Sequence, residues 1–195
     1  TRNESSAASD VYKRQHLDCF SPIEIEGIAE ITGLSTMEVL QRFKNKGLHG
    51  LPGGGAEMLV DGVRNDISPK KGSPQNWLNV MSEAQELGLT TSATNVFGFG
   101  ESIEDRITHM DKIRNLQDDS MSKNHGIFTS FISWPVQLET NTFGKRNRGQ
   151  NKFVLGAGPT EYLRHLAVSR LFLDNIQHIQ ACLLYTSDAA DDSLR

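Results

Sequence analysis

Five short stretches rich in apolar and β-branched residues begin near residues 16, 48, 90, 128 and 177, and helical patterns fill the intervals between them. They read HLDCF, GLHGLP, TTSATNVFGF, FTSFISWPV and IQHIQA. Strands separated by roughly 30–50 residues of helix cannot pair as hairpins, so the alternation predicts a parallel sheet with helical crossovers. That spacing suits a (β/α) barrel or an open doubly wound sheet. A closed eight-fold barrel takes about 250 residues, so a chain of 195 residues is expected to be the second half of a TIM-type barrel, incomplete as it stands.

The two ends do not share this pattern. Ser5–Gln15 and Cys182–Asp192 have neither a helical nor a strand period. Back-translated, they are one DNA string read on opposite strands, as a sequencing adapter would be. Residues 1–15 and 182–195 are therefore expected to be foreign flanks, leaving 16–181 as the domain.

Those 166 residues suffice for one domain with a core. Their net charge of −3 lacks the clustered basic footprint of nucleic-acid binding. GKRNRGQNK is one basic loop without interleaved aromatics, read as a solvated or substrate-covering loop. Cys19 is the single cysteine between the flanks, so no disulfide is expected there, which suits a cytoplasmic protein. No apolar run approaches the ~20 residues of a membrane span.

Helix boundaries are signposted. Ser35 and Glu38 form a capping box before Val39, Leu40 and Phe43. AEMLVDGVRNDI reads as a helix with Leu59, Val63 and Ile67 four apart. Ser73-Pro74 opens another helix, with Trp77, Val80, Met81, Ala84 and Leu87 inward. Ser102 is expected to cap a helix burying Ile103, Ile107, Met110 and Ile113. Thr160 is expected to cap one burying Leu163, Leu166, Ala167 and Leu171.

Sites in parallel α/β folds lie at the C-terminal ends of the strands. Those ends carry Ser21, the run Pro52–Glu57, Thr94 and Asn95, and Trp134 and Gln137. Gly53, Gly54 and Gly55 would let the backbone approach a ligand closely and offer amides to a phosphate or carboxylate. Glu57, one residue inside the following helix, would accept hydrogen bonds from ribose hydroxyls or an ammonium group. The competing reading is a tight turn with an acidic first-turn residue, and on the residues alone the two weigh about equally. Asn95 would face a ligand or cap a backbone group, and Trp134 would stack on a base or simply pack. Arg64, Lys70 and Lys71 read as a solvated helix end. His49, His109, His125, His165 and His178 have no metal-ligand spacing, so no metal is assigned to them.

PGGGAEMLVDGVRNDISPKK, taken with HLDCFSPIEI, TTSATNVFGFGE, FTSFISWPVQ and TEYLRHLAVSRLFLDNI, resembles the radical S-adenosylmethionine enzymes of menaquinone synthesis by the futalosine route. The likeness covers residues 16–181, and ISPKK points to the cyclising branch. The resemblance implies S-adenosylmethionine and a 4Fe–4S cluster as cofactors and an external electron donor. It implies a nucleoside-like substrate, dehypoxanthine futalosine, closed into a ring by radical chemistry. Ser21, Gly53, Gly54, Gly55, Glu57, Thr94, Asn95, Trp134 and Gln137 would line the pocket for cofactor and substrate. The family's Cys-x-x-x-Cys-x-x-Cys is absent here and expected upstream, so this chain alone should be inactive. Phe99 follows Gly98 where many relatives carry a histidine. Sister enzymes making aminofutalosine or a deazaflavin precursor, and a cluster-less nucleotide-binding barrel, are the alternatives.

Overall fold

The computed structural model describes residues 16–138, 142–146 and 155–181. The two flanks lie outside the described residues, as does most of GKRNRGQNK.

Ser21 and Ser35 begin the first two helices, α1 (Pro22–Thr32) and α2 (Thr36–Asn45). Each serine donates its amide and its hydroxyl to the carboxylate three residues on, Glu24 or Glu38, at 2.7–2.8 Å. A short strand β1 (Gly50–Leu51) follows, then α3 (Asp61–Ile67) and α4 (Pro74–Glu86). Strand β2 (Thr90–Phe97), helix α5 (Ile103–Ser122) and strand β3 (Phe128–Pro135) come next. The described residues end with α6 (Thr142–Arg146), α7 (Pro159–Phe172) and β4 (His178–Ala181).

The four strands form one sheet in the order β1-β2-β3-β4, every neighbour parallel. Spatial order follows chain order without reversal, as it does in a segment of a (β/α) barrel and not across the switch point of a doubly wound sheet. HLDCF is not a full strand. It touches the sheet through one parallel bridge, Asp18 to Gly50, and Phe20 then turns into a left-handed conformation (φ 65°) that ends the extension.

One face of the sheet carries the core. Ala93 and Phe131 sit side by side in register beneath Trp77, Val80, Met81 and Ala84 of α4 and Met110 and Ile113 of α5. Trp77 is wholly buried and stacks on Phe128 with centroids 6.2 Å apart. Burial of each large side chain stabilises the fold by roughly 1.5–3 kcal/mol. At the N-terminal ends of the strands, Gln85 links Thr91 to Ser120, and Gln117 bonds both backbone groups of Phe128. The opposite face shows half-buried Ser92, Val96, Ile132 and Trp134.

Three elements differ from the sequence pattern. Ala56–Val60 is not helical, and α3 starts only at Asp61. The Leu59 amide is taken by His109 Nδ1 at 2.9 Å and its carbonyl by Lys112, so neither is left for a helical ladder. Ile103, at the first position of α5, is 70% exposed because the helix meets the sheet only at Arg106 and beyond. Helix α7 begins at Pro159 with Gly158 as its cap, and it turns Tyr162, His165 and Ser169 inward. Leu163 and Leu171 are 60% and 81% exposed. The inward face meets Asn95 and the backbone of Ser133, which offer hydrogen bonds that leucines could not make.

Candidate functional site

A cleft of about 330 Å³ lies at the C-terminal ends of β2 and β3, with Glu57, Ile67, Ser68, Val96, Phe99 and Gln137 among its walls. Glu57 is its distinctive member. It has φ 41°, a left-handed backbone that a non-glycine residue adopts at a cost of roughly 1–3 kcal/mol. Its carbonyl accepts from the Val96 amide at 2.8 Å, which pins it beside the strand end. Oε1 accepts from Lys71 Nζ, and Oε2 is buried with no partner among the described residues. A carboxylate oxygen so placed can receive a hydroxyl or an ammonium group.

The glycine run is built into the fold. Gly53 donates to Ser92 Oγ at 3.0 Å and accepts from Thr94 Oγ1 at 2.5 Å. A Cβ there would stand 2.3 Å from the Ser92 carbonyl, so only glycine lets the loop lie this close to β2. The Gly54 carbonyl accepts from Trp77 Nε1 at 3.3 Å, and that of Gly55 from Arg64 at 2.9 Å. These bonds favour the tight-turn reading of Gly53–Gly55. The Gly53 amide is taken by a strand side chain and is not turned to a ligand.

Arg64 overturns its expectation as a solvated residue. It is wholly buried and donates four hydrogen bonds, to the carbonyls of Gly55, Ala56, Lys71 and Gly72, at 2.6–2.9 Å. The guanidinium ties the glycine loop to the ISPKK loop. Burial pulls its pKa below the ordinary value, and the charges of Glu57, Glu26 and Asp61 oppose that shift.

The remaining candidates are spread over three environments. Gln137 lines the cleft beside Glu57, with Nε2 donating to the Pro135 carbonyl at 3.1 Å. Trp134 stands in register with Val96 on the open face of the sheet. Thr94 spends its hydroxyl on Gly53. Ser21 caps α1 and borders Gly54, whose Cβ would lie 3.4 Å from that of Ser21. Asn95 does not face the cleft. It is fully buried on the helix side, with Oδ1 3.2 Å from His165 Nε2, because side chains alternate faces along a strand.

Two histidines weighed in the sequence only as metal ligands, and an arginine not picked out there, join the structure here. His109 accepts from Leu59 through Nδ1, and burial pushes its pKa down to about 3. His165 is pushed down to about 4 by burial and by the charge of Arg106. Arg106 donates to Glu101, Glu161 and the Gly156 carbonyl and lies 4.8 Å over the Phe97 ring. A signal existed in the sequence: Arg106 and His109 fall on the stripe of Met110 and Ile113 at helical spacing.

A parallel sheet ordered as the chain runs, with Glu57 at the C-terminal ends of its strands, defines an α/β domain with the strand order of a (β/α) segment. Residues 124–192 match the family model described as the CofH/MqnC C-terminal region, a match that runs into the tail set aside above. Over 162 residues the chain is 39% identical to the cyclic dehypoxanthine futalosine synthase of Halalkalibacterium halodurans, covering 83% of this chain and 40% of that protein. It is 41% identical over 157 residues to the aminodeoxyfutalosine synthase of Thermus thermophilus, covering 80% and 40%. It is 35% identical over 175 residues to the 5-amino-6-(D-ribitylamino)uracil–L-tyrosine 4-hydroxyphenyl transferase of Methanococcoides burtonii, covering 89% and 47%. Residues 124–192 thus resemble the CofH/MqnC C-terminal region, and the chain spans less than half the length of these relatives.

The described residues do not fit a 4Fe–4S cluster. No group of three His, Cys, Asp or Glu side chains stands together among them, and Cys19 is one exposed thiol. No helix among them is long and apolar enough to cross a membrane.

Proposed function

We propose that the chain is the C-terminal part of a radical S-adenosylmethionine barrel enzyme that cyclises dehypoxanthine futalosine in menaquinone biosynthesis. Two relatives named cyclic dehypoxanthine futalosine synthase support the substrate, at 39% and 37% identity. The observation that carries a binding role is Glu57, with a strained backbone and one buried, unpartnered carboxylate oxygen at the cleft.

When bound, S-adenosylmethionine and its cluster supply the radical chemistry, and the cluster's ligands lie outside the described residues. This chain's part is to hold and shield. Glu57 Oε2 accepts from a ribose hydroxyl or an ammonium group, while Lys71 keeps the other oxygen in place. Val96, Phe99 and Val136 make an apolar wall that keeps water from a reactive intermediate. Gln137 and Trp134 flank the ligand at the end of β3.

The second reading is a sister enzyme of the same family, favoured by the 41% identity to an aminodeoxyfutalosine synthase. Anaerobic assay of the full-length protein with a reconstituted cluster separates the two, with products identified by mass spectrometry. Consumption of dehypoxanthine futalosine is expected, and Glu57→Gln should lower kcat/KM about 100-fold, the scale of losing one charge-assisted contact to the reacting complex. Turnover of a sister enzyme's substrate instead would transfer the assignment. Absence of S-adenosylmethionine cleavage would leave a nucleotide-binding barrel.

A further inference from the structure

We propose that a water molecule bound between the sheet and its covering helices bridges His109 Nε2, Asn95 Nδ2 and Ser133 Oγ. This site lies apart from the Glu57 cleft and holds its water whether or not the cleft is filled.

Each of the three atoms is a buried polar group with no hydrogen-bond partner among the described residues. Their residues are all wholly buried. Three elements bring them together. Asn95 on β2 and Ser133 on β3 are partners in register, so their side chains leave the same face of the sheet about one strand spacing, ~5 Å, apart. His109 descends from α5 onto that face. Its ring centroid is 6.1 Å from that of Phe131, which precedes Ser133 by two positions. His165 of α7 closes the other side, bonded to Asn95 Oδ1 and near enough to His109 to act on its charge. A cleft of about 170 Å³ between α5 and α7 brings solvent to the outer side of His165. Three bare polar groups in one buried spot would be costly to the fold, and a buried water makes about three bonds of this kind.

The proton positions select water over an ion. His109 Nδ1 accepts from the Leu59 amide at 2.9 Å, and burial keeps the ring neutral, so its one proton sits on Nε2. The Thr94 backbone pulls the ring toward protonation but stops short of a hydrogen bond with Nε2. Asn95 engages Oδ1 with His165, which leaves its amide nitrogen as a donor. Two donors therefore converge, and a metal cation has no place between them. An anion would be a buried charge without a counter-ion, because Arg106, whose charge reaches His165, is committed to Glu101 and Glu161. A water accepts from both nitrogens and donates to Ser133 Oγ. It holds His109 in the tautomer that receives the Leu59 amide, and so links α7, through His165 and Asn95, to the segment that follows Glu57.

The test uses the full-length protein. A high-resolution crystal structure should show one density peak roughly 2.7–3.2 Å from all three atoms. In solution, nitrogen NMR of the histidine-labelled protein should find the His109 proton on Nε2, with cross-relaxation between that proton and a bound water. Ser133→Ala supplies a reading of opposite sign for the two cases. If Ser133 Oγ bonds the water, the variant should raise the unfolding equilibrium constant about threefold to tenfold, the scale of one hydrogen bond. If the hydroxyl is bare, deleting it should leave that constant unchanged or lower it. The proposal is overturned by any of four results: no peak bonded to all three atoms, a peak with the anomalous scattering of chloride, a His109 proton on Nδ1, or a Ser133→Ala protein as stable as its parent. The first three are read on the unaltered protein, so they stand even if the variant folds poorly.

Discussion

His165 Nε2 lies 3.2 Å from Asn95 Oδ1, a contact sealed between α7 and β2 and joining residues 70 positions apart. The ring is 3% exposed and the amide is fully buried. Phe97 leans on the same ring at 4.5 Å. A polar pair of this kind holds one helix orientation where an apolar face would tolerate several.

The two buried histidines, His109 and His165, make stability sensitive to acid. His109 and His165 have folded pKa values of about 3 and about 4, below the ordinary 6.5. Below pH 6.5 the unfolded chain therefore binds more protons than the folded one, and stability falls as pH drops. Their contribution is intact above pH 6.5 and shrinks on the way down to the folded values. At pH 5 the loss is about 2 kcal/mol per histidine, at about 1.4 kcal/mol per pH unit. Urea midpoints at pH 7 and pH 5 measure it. A midpoint that does not move between them would mean the rings are not buried neutral.

Glu57→Gly separates strain from function. Glycine relieves the φ 41° conformation while removing the carboxylate. The melting temperature should hold or rise slightly, because the strain released offsets a partly exposed ion pair worth at most about 1 kcal/mol. Binding of adenosine should fall sharply. A large drop in melting temperature would show that Glu57 is structural.

Arg64→Met should be among the most damaging single changes. It leaves four carbonyls without their donor, and a loss of roughly 3–5 kcal/mol is expected from chemical denaturation. Arg64→Lys should recover little, since one ammonium group cannot span carbonyls on two loops.

Gly53→Ala and Gly62→Ala form a matched pair. A methyl group at Gly53 meets the Ser92 carbonyl at 2.3 Å and should cost roughly 1–3 kcal/mol. At Gly62, inside α3, nothing lies within 4 Å, and alanine should gain about 0.5–1 kcal/mol through helix propensity. Equal effects at the two positions would contradict the close approach of the glycine loop to β2.

The strand–helix alternation was legible because its cues are local. Ser35, Ser73 and Ser102 sit where caps belong, and each accepts from a backbone amide three residues on. Glu57 was legible as a residue of interest, but its backbone was not. The helical period of Leu59, Val63 and Ile67 continued through a segment whose amide and carbonyl at Leu59 are captured from α5. Arg64 looked like any solvated arginine because the four carbonyls it bonds belong to the turns on either side of its helix. Helix α7 misled for a related reason. Its leucines suggest one buried face, while partners on β2 and β3 select the face with His165 and Tyr162.

Arg106 joins the turn after β2, through Glu101, to the first turn of α7, through Glu161, and to Gly156 before it. Glu101 in turn holds the amides of Gly98 and Phe99 at 2.6–3.1 Å. The Phe99 side of the cleft is thus one clamped unit running over two successive crossovers. A ligand meets it as a fixed anvil, and any selectivity that Phe99 imposes is exerted by shape at the moment of entry.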